Sequence, residues 1–557
     1  GFRATTKMPK IFDLQNVSSP EDRARSTAGI EAIGSYLFDK SEKIDYPAPP
    51  VRGDAARGEK LVSQVGCRAC HVVGEDDDQE QVYGPRNFGP SLNDVGSKLE
   101  MGWLYAWLKN PEQYFPETVM PNLRLTDQEA ADIATYLLTQ RNVDFENRRP
   151  AEADPTVRDD LALDFLKGRM PVKAAQAELA KMSDHSRNVF LGERMIAKQG
   201  CYGCHLISGF EEITPIGTEL TLEGSKPVGK LDFALNTSHV PHTRQDWLLT
   251  KLKSPRIWDQ GKVKSFQDKL RMPNFNLSDD DAHALTLALL SFSQSYVDQS
   301  AKRQLSAAEV EIEKGRKHVY QRNCRGCHIV EDEGGAIRDI LAATYVKEGV
   351  GEAEAVGFAP PNLTGEGRKV QPEWLFGFLR NVSPIRPWLA VRMPTFGFDD
   401  KESVEITTYF SRADEQAFPY ETFVEKQLTS NEMRGARLMF TPDVYNCWTC
   451  HQQGSIQPKG DPASWAPDLT MARERLKGAW IRDWLMDPQQ IEAGTKMPTF
   501  FGEEQTYLPE NMAQYFPLPE NVKPEYGVLQ LPSQIVIDAL TDYVVHGLHQ
   551  NVRVSQR

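Results

Sequence analysis

Long apolar runs are missing from this chain of 557 residues. The longest, Ala284 to Phe292, is far shorter than the roughly 20 residues a membrane-spanning helix needs. Basic charge is short as well: 64 Lys and Arg stand against 78 Asp and Glu, a net charge of -14. That balance makes nucleic acid an improbable partner and a protein with a basic docking patch a natural one. No secretory leader opens the chain, which begins Gly-Phe-Arg-Ala and reads as processed or truncated. Disorder and fibrous repeats are not signalled, because 40% hydrophobic and 25% charged residues are the proportions of a globular protein. Cysteine is scarce: there are eight, and none stands outside four short motifs.

Those motifs are Cys67-Arg68-Ala69-Cys70-His71, Cys201-Tyr202-Gly203-Cys204-His205, Cys324-Arg325-Gly326-Cys327-His328 and Cys447-Trp448-Thr449-Cys450-His451. Cys-x-x-Cys-His is the attachment signature of c-type haem. Two thiols on one turn can form thioethers with the two vinyl groups of one porphyrin, and the adjacent histidine reaches the iron. Zinc held by paired motifs, or disulfides, remain as alternatives, but neither requires histidine at the same offset each time.

Further blocks recur around each motif, which marks an internal duplication. A leader helix carries Gly58, Gly192 or Gly315 nine positions before the first cysteine, and Gly435 twelve before the last motif. Such a glycine implies close backbone approach where two helices cross. After the histidine come Gly89-Pro90-Ser91-Leu92, Pro360-Pro361-Asn362-Leu363 and Ala466-Pro467-Asp468-Leu469, whereas the second repeat has Gly217-Thr218-Glu219-Leu220. Gly96, Gly224, Gly367 and Arg473 follow four residues later, then Lys98, Lys226, Lys369 and Arg475. A helix opening on Trp103, Trp247, Trp374 or Trp480 and stopped by a proline comes next. Met120-Pro121, Met272-Pro273, Met393-Pro394 and Met497-Pro498 precede a last amphipathic helix bearing Tyr136, Tyr409 or Tyr543, with Ala288 at that place in the second repeat. One Met-Pro pair reads as packing; four, one per motif, read as soft sulfur ligands beside a stiffened loop.

The chain therefore divides into repeats at 51–147, 186–300, 301–418 and 425–550, with a charged linker at 148–185. Residues 1–46 look like the back end of a further domain, since Met8-Pro9 and Ile33-x-x-Tyr36-Leu37 match the methionine loop and the last helix. Their front half is expected upstream or in a separate chain, where Met8 would serve a fifth haem. The plainer reading is a helix packed on the first domain. An insertion after His328, helical around Ile337 to Val346, and a proline-dotted loop from Phe501 to Leu531 read as partner-docking or domain-docking surfaces. Glu75-Asp76-Asp77-Asp78 lacks the ligand alternation of a calcium loop and reads as solvated. His239 and His242 lie where either could displace Met272, while His318, His546 and His549 suit surface or helix-end roles.

In order and content these blocks resemble the class I c-type cytochrome domain, the family of mitochondrial cytochrome c. The resemblance implies an all-α protein of four tandem domains, each wrapped around one covalent haem c. It implies attachment at Cys67, Cys70, Cys201, Cys204, Cys324, Cys327, Cys447 and Cys450. The iron ligands it implies are His71, His205, His328 and His451 on one side and Met120, Met272, Met393 and Met497 on the other. The carbonyls of Pro90, Pro361 and Pro467 would accept the proximal imidazole N–H. Thr218 departs from that pattern, so the second haem would differ in potential or use another carbonyl.

His/Met iron has no vacant position and a raised potential, which favours electron transfer over catalysis. The resemblance thus implies a multihaem cytochrome, a subunit of a bacterial respiratory or photosynthetic electron-transport complex with redox proteins as partners. Its location would be the periplasm or the outer face of the cytoplasmic membrane, or the extracellular space. The alternative is an oxidoreductase enzyme of dihaem peroxidase or thiosulfate dehydrogenase kind, in which one haem opens to bind substrate.

Overall fold

The computed structural model describes all residues except 1–7, 10, 13–18, 75–87, 215, 236–238, 265–267, 294–302, 417–423, 461–463, 493, 517, 519–521, 523 and 551–557. The Glu75–Asp78 run lies outside the described residues. The fold is predominantly helical, with two small antiparallel hairpins among the described residues. It forms two compact units: Tyr46–Glu146 with Gln304–Arg557, and Gly1–Asp45 with Asn147–Arg303. The first, third and fourth repeats thus share one unit, and the second belongs to the other.

In the larger unit each repeat is tied by a crossing of its leader helix. Asp54 caps the leader Ala55–Val65 through the amide of Arg57, and a Thr126/Glu129 capping box starts the closing helix Asp127–Leu137. Where the two cross, a Cβ on Gly58 would overlap the carbonyl oxygen of Asp132 and lie 2.8 Å from Tyr136 Cβ. The third repeat repeats the contact, with Gly315 of Ala307–Gln321 against the Glu405 carbonyl and Tyr409 of Asp400–Ala413. Around the first crossing Val62, Val65, Leu104, Leu108, Ile133 and Leu137 close the core. His318, expected at the surface or a helix end, stands in the last turn of its leader helix and braces the third crossing, its Nε2 2.7 Å from Glu405.

The fourth repeat keeps the leader, Ser430–Met439, but Gly435 meets the Tyr515 side chain rather than Tyr543. Its twelve-residue offset places it one turn away from the usual contact. The hairpin of the long excursion packs one face on its own repeat. Gln505–Pro509 pairs with Val528–Pro532, and alternation turns Leu508, Leu529 and Leu531 into the core beside Val536, Ile537 and Leu540. His546, expected at a surface or helix end, is buried in the π-turn Tyr543–Gly547 that continues the closing helix.

The insertion of the third repeat is a docking surface within the chain. Its helix Ile337–Lys347 buries Ile337 and Leu341 against Ala69 of the first repeat, about 1.5–3 kcal/mol for each side chain. Glu348 then takes a hydrogen bond from Gln64 at 2.8 Å and an ion pair from Lys60 at 3.1 Å.

In the smaller unit the N-terminal helix Pro20–Lys40 lies on the leader Asp184–Gln199 of the second repeat. A Cβ on Gly192 would overlap the Ala32 carbonyl and lie 2.8 Å from Tyr36 Cβ, the same register as in the first and third repeats. Neither expected arrangement for this segment matches that contact: its partner is the second repeat's own leader, because Gly29, Ala32 and Tyr36 supply the face that leader needs. Tyr36 also donates its hydroxyl to the Ser208 carbonyl at 2.8 Å. The linker helix Pro155–Lys167 joins through Leu161, packed with Ala28, Ala32, Leu191 and Met195.

The helix Asp279–Ser291, which ends the second repeat, packs instead on the tryptophan helix Arg244–Lys253 and on Gly224. It buries Ala282 and Thr286 and leaves Leu285 and Leu287 exposed. Gly192→Val should therefore unfold the pairing of 20–40 with 184–199, read as simultaneous loss of amide-exchange protection in both. Leu285→Ala should change stability by no more than about 0.5 kcal/mol.

Candidate haem cavity

Each Cys-x-x-Cys-His motif is one tight turn entered through a residue of positive φ: Gly66 (131°), Gly200 (72°), Asn323 (52°) and Asn446 (57°). Glycine and asparagine adopt that region at least cost. The signal was present in the sequence as Gly or Asn before every first cysteine, and sequence reasoning passed over it. Within each turn the histidine amide bonds the first cysteine's carbonyl, at 3.0 Å for His71, His205 and His451 and 2.9 Å for His328. Both sulfurs and the imidazole are thereby carried on one rigid loop.

Three imidazoles are then oriented from behind. Nδ1 of His71 lies 2.7 Å from the Pro90 carbonyl oxygen, that of His328 2.8 Å from Pro361 and that of His451 2.9 Å from Pro467. A carbonyl can only accept, so Nδ1 carries the proton and the ring lone pair lies on Nε2. Burial lowers the pKa of His328 and His451, which further favours the neutral ring that a metal requires. Burial also pushes the thiols of Cys67, Cys324 and Cys447 up to about 12. These cysteines are unpaired, and among the described residues no three Cys, His, Asp or Glu side chains converge as a bound ion would demand. Zinc and disulfides thus find no support, while neutral thiols facing an apolar space suit thioether attachment.

That space is a continuous cavity of about 1340 Å³ in the larger unit, beyond the usual size of a single small-ligand pocket. His71, His328 and His451 line it together with Met120, Met393 and Met497 and with Trp103, Trp374 and Trp480. Pro90, Pro361 and Pro467 line it too. The indole N–H of Trp107 donates to Met120 Sδ at 2.9 Å and holds the thioether at the wall. Met393 is fixed from another repeat: Arg124 donates to its carbonyl at 2.8 Å and to Thr395 Oγ1 at 2.7 Å. Asn122 and Thr395, each two residues past its methionine, exchange backbone hydrogen bonds of 2.9 Å.

The residues fit a flat apolar cofactor with carboxylate edges, since the wall is apolar and aromatic but retains buried orphan donors at Arg475 Nε and Trp465 Nε1. The second repeat is built differently. Cys204 and His205 are exposed, and no hydrogen bond joins His205 to Thr218. Met272 is half-buried, and Arg271 beside it donates to the Lys198 carbonyl at 3.5 Å. His242 stacks on Phe233 with ring centroids 4.2 Å apart. In the N-terminal segment Met8 is 52% exposed, while Phe12 packs on the shared core.

Comparison with known proteins agrees with this chemistry at one place. No curated protein and no solved structure matches the chain. Residues 55–141 match the family model Cytochrome c, a match that spans the first repeat from its leader helix past its closing helix and carries covalent haem c with it. The first repeat is a cytochrome c-type domain.

Proposed function

We propose that the chain is a multihaem c-type cytochrome, with one haem at each of the four motifs, that conducts electrons as a subunit of a bacterial electron-transport complex. The observation that carries it is the set of imidazole contacts to Pro90, Pro361 and Pro467, at 2.7, 2.8 and 2.9 Å, in one cavity that also takes in Met120, Met393 and Met497. Haem c would supply an iron that exchanges single electrons, and holding it with histidine and methionine together would leave no place for substrate. The cysteine pairs would tether it, the imidazoles would offer Nε2, and the methionines would offer sulfur. Apolar lining keeps water out, which holds the charge change of the iron in a low dielectric.

Adjacency of the repeats supports a conduit. Asn323 donates to the Ala69 carbonyl and to Cys70 Sγ, both at 3.3 Å, so the first and third attachment turns touch. The third also meets the fourth, where Asn362 donates to Glu492 at 3.2 Å and Arg338 pairs with it at 3.1 Å. The third repeat thus stands between the first and the fourth. The acidic surface suits soluble redox partners of basic charge, and haem attachment outside the cytoplasm would put the protein in the periplasm, on the outer face of the cytoplasmic membrane or in the extracellular space.

One feature favours the enzymatic alternative: the second repeat, where His205 is exposed and threonine replaces the proline. If that haem binds substrate, peroxide or sulfite will shift the Soret band of the oxidised protein. An unchanged spectrum supports the conduit.

A pyridine haemochrome assay is expected to give four haems per chain, matched by the mass of the denatured polypeptide; fewer would remove the count. Near-infrared magnetic circular dichroism should show sulfur ligation. Arg124→Ala removes a charged donor worth about 1.5–3 kcal/mol from the Met393 loop. The sulfur-to-iron band should lose the share of one haem while the haem count holds.

A further inference from the structure

The third and fourth repeats meet through equivalent residues. Lys369 and Arg475 stand at the same place in their repeats, six past the leucine of the Pro-x-Leu block. Beside them Val370 and Leu476 form an antiparallel bridge, with Gln371 N–H donating to the Arg475 carbonyl at 2.8 Å and Lys477 N–H to the Lys369 carbonyl at 2.9 Å. Each side gives what it receives, which is the mark of a local two-fold contact. Across it the cations are traded. Lys369 Nζ lies 5.6 Å from the ring centre of Trp480 in the fourth repeat, and the Arg475 guanidinium lies 5.3 Å from that of Trp374 in the third. In the second repeat, by contrast, Lys226 lies over Trp247 of its own repeat, at 5.9 Å.

All four side chains line the cavity. Lys369 is paired with Glu366 at 3.0 Å, but Arg475 Nε is buried without a hydrogen-bond partner. Arg386, on the same wall, donates to the carbonyls of Gly357 and Ala359, at 2.9 and 2.8 Å. Burial holds its pKa down to about 10 despite the nearby Glu492. Arg475 thus has an aromatic face and feels Glu366 only through space, with no carboxylate hydrogen-bonded to it, and Arg386 has carbonyls alone; both are matched to an anion brought in with the ligand. Haem brings two carboxylates.

Resting on the multihaem reading above, we propose that Arg475 and Lys369 are exchanged counter-ions. Arg475 of the fourth repeat holds a carboxylate of the haem attached at Cys324 and Cys327, and Lys369 of the third holds one of the haem attached at Cys447 and Cys450. Each repeat thereby sets part of the other's redox potential. A cation beside a porphyrin disfavours the oxidised form, which carries one more positive charge, so its loss favours oxidation.

The test is a spectroelectrochemical titration of the full chain. The third repeat's step is identified as the one that moves far down in Met393→His, and the fourth's as the one that moves in Met497→His. Arg475→Gln is expected to shift the third repeat's oxidised-to-reduced ratio several-fold toward oxidised, where tenfold corresponds to about 59 mV for one electron. The fourth repeat's step should stay in place, and Arg475→Lys should restore the native value. Lys369→Gln should do the reverse, moving the fourth repeat's step. Movement of each repeat's own step, or of neither, overturns the exchange. If Arg475→Gln loses haem, Arg475→Lys and Lys369→Gln still decide by which step they move. Absence of haem from the native protein would instead overturn the multihaem reading itself.

Discussion

A glycine set against a carbonyl governs this structure. At Gly58, Gly192 and Gly315 the missing side chain lets a leader helix sit directly on the backbone of a closing helix, with a tyrosine one turn further along. The crossing fixes the leader, and nine residues later, about 13 Å along a helix, the chain reaches the first cysteine. The attachment turn is therefore delivered to the same place in each repeat built this way. Burial of Val62, Val65 and Ile133 around the first crossing is the energetic return, and the cavity on its far side is what the crossing leaves open.

Because the crossing needs a face rather than a chain connection, the closing helix need not follow its leader in sequence. Pro20–Lys40 supplies Ala32 and Tyr36 to Gly192, and the helix Asp279–Ser291, with Ala284 and Ala288 at the matching positions, does not. The tyrosine beside each glycine fills the crossing, and alanine at that place cannot reproduce it. The smaller unit is thus a repeat closed by a helix from the front of the chain, and its attachment turn stays more open than the others.

Much of this was legible beforehand. The four motifs, the leader glycines, the Pro-x-Leu blocks and the capped closing helices are local patterns, and local patterns survive into structure when the same residues must meet each time. Thr126 with Glu129, and Ser278 with Asp281, cap as their spacing indicates. Pairings over long separations were not legible. Tyr36 reaches a loop 172 positions away, Arg124 a methionine loop 269 away, and neither residue type announces its partner. The hairpin at Gln505–Pro509 was hidden by prolines that suggested an irregular loop, although Thr506 and Leu508 alternate with polar or aromatic neighbours as strands do. His546 stands in the last turn of its helical segment, one of its expected places, but its burial was not legible, because proximity to a terminus says nothing of burial.

Two of the contacts inside the larger unit follow one logic. First and third repeats meet at Asn122 and Thr395, equivalent positions past their methionines; third and fourth meet at Val370 and Leu476, equivalent positions past their Pro-x-Leu blocks. Duplicated domains possess matching edges by descent from one sequence, and such edges pair most readily about a two-fold axis. The third repeat uses both of its edges. Its Met393 carbonyl answers to Arg124 of the first repeat, and its Trp374 to Arg475 of the fourth. A central repeat touched by charged residues of both neighbours is coupled to each of them electrostatically, since a unit charge in a low dielectric acts over the distance that separates touching domains.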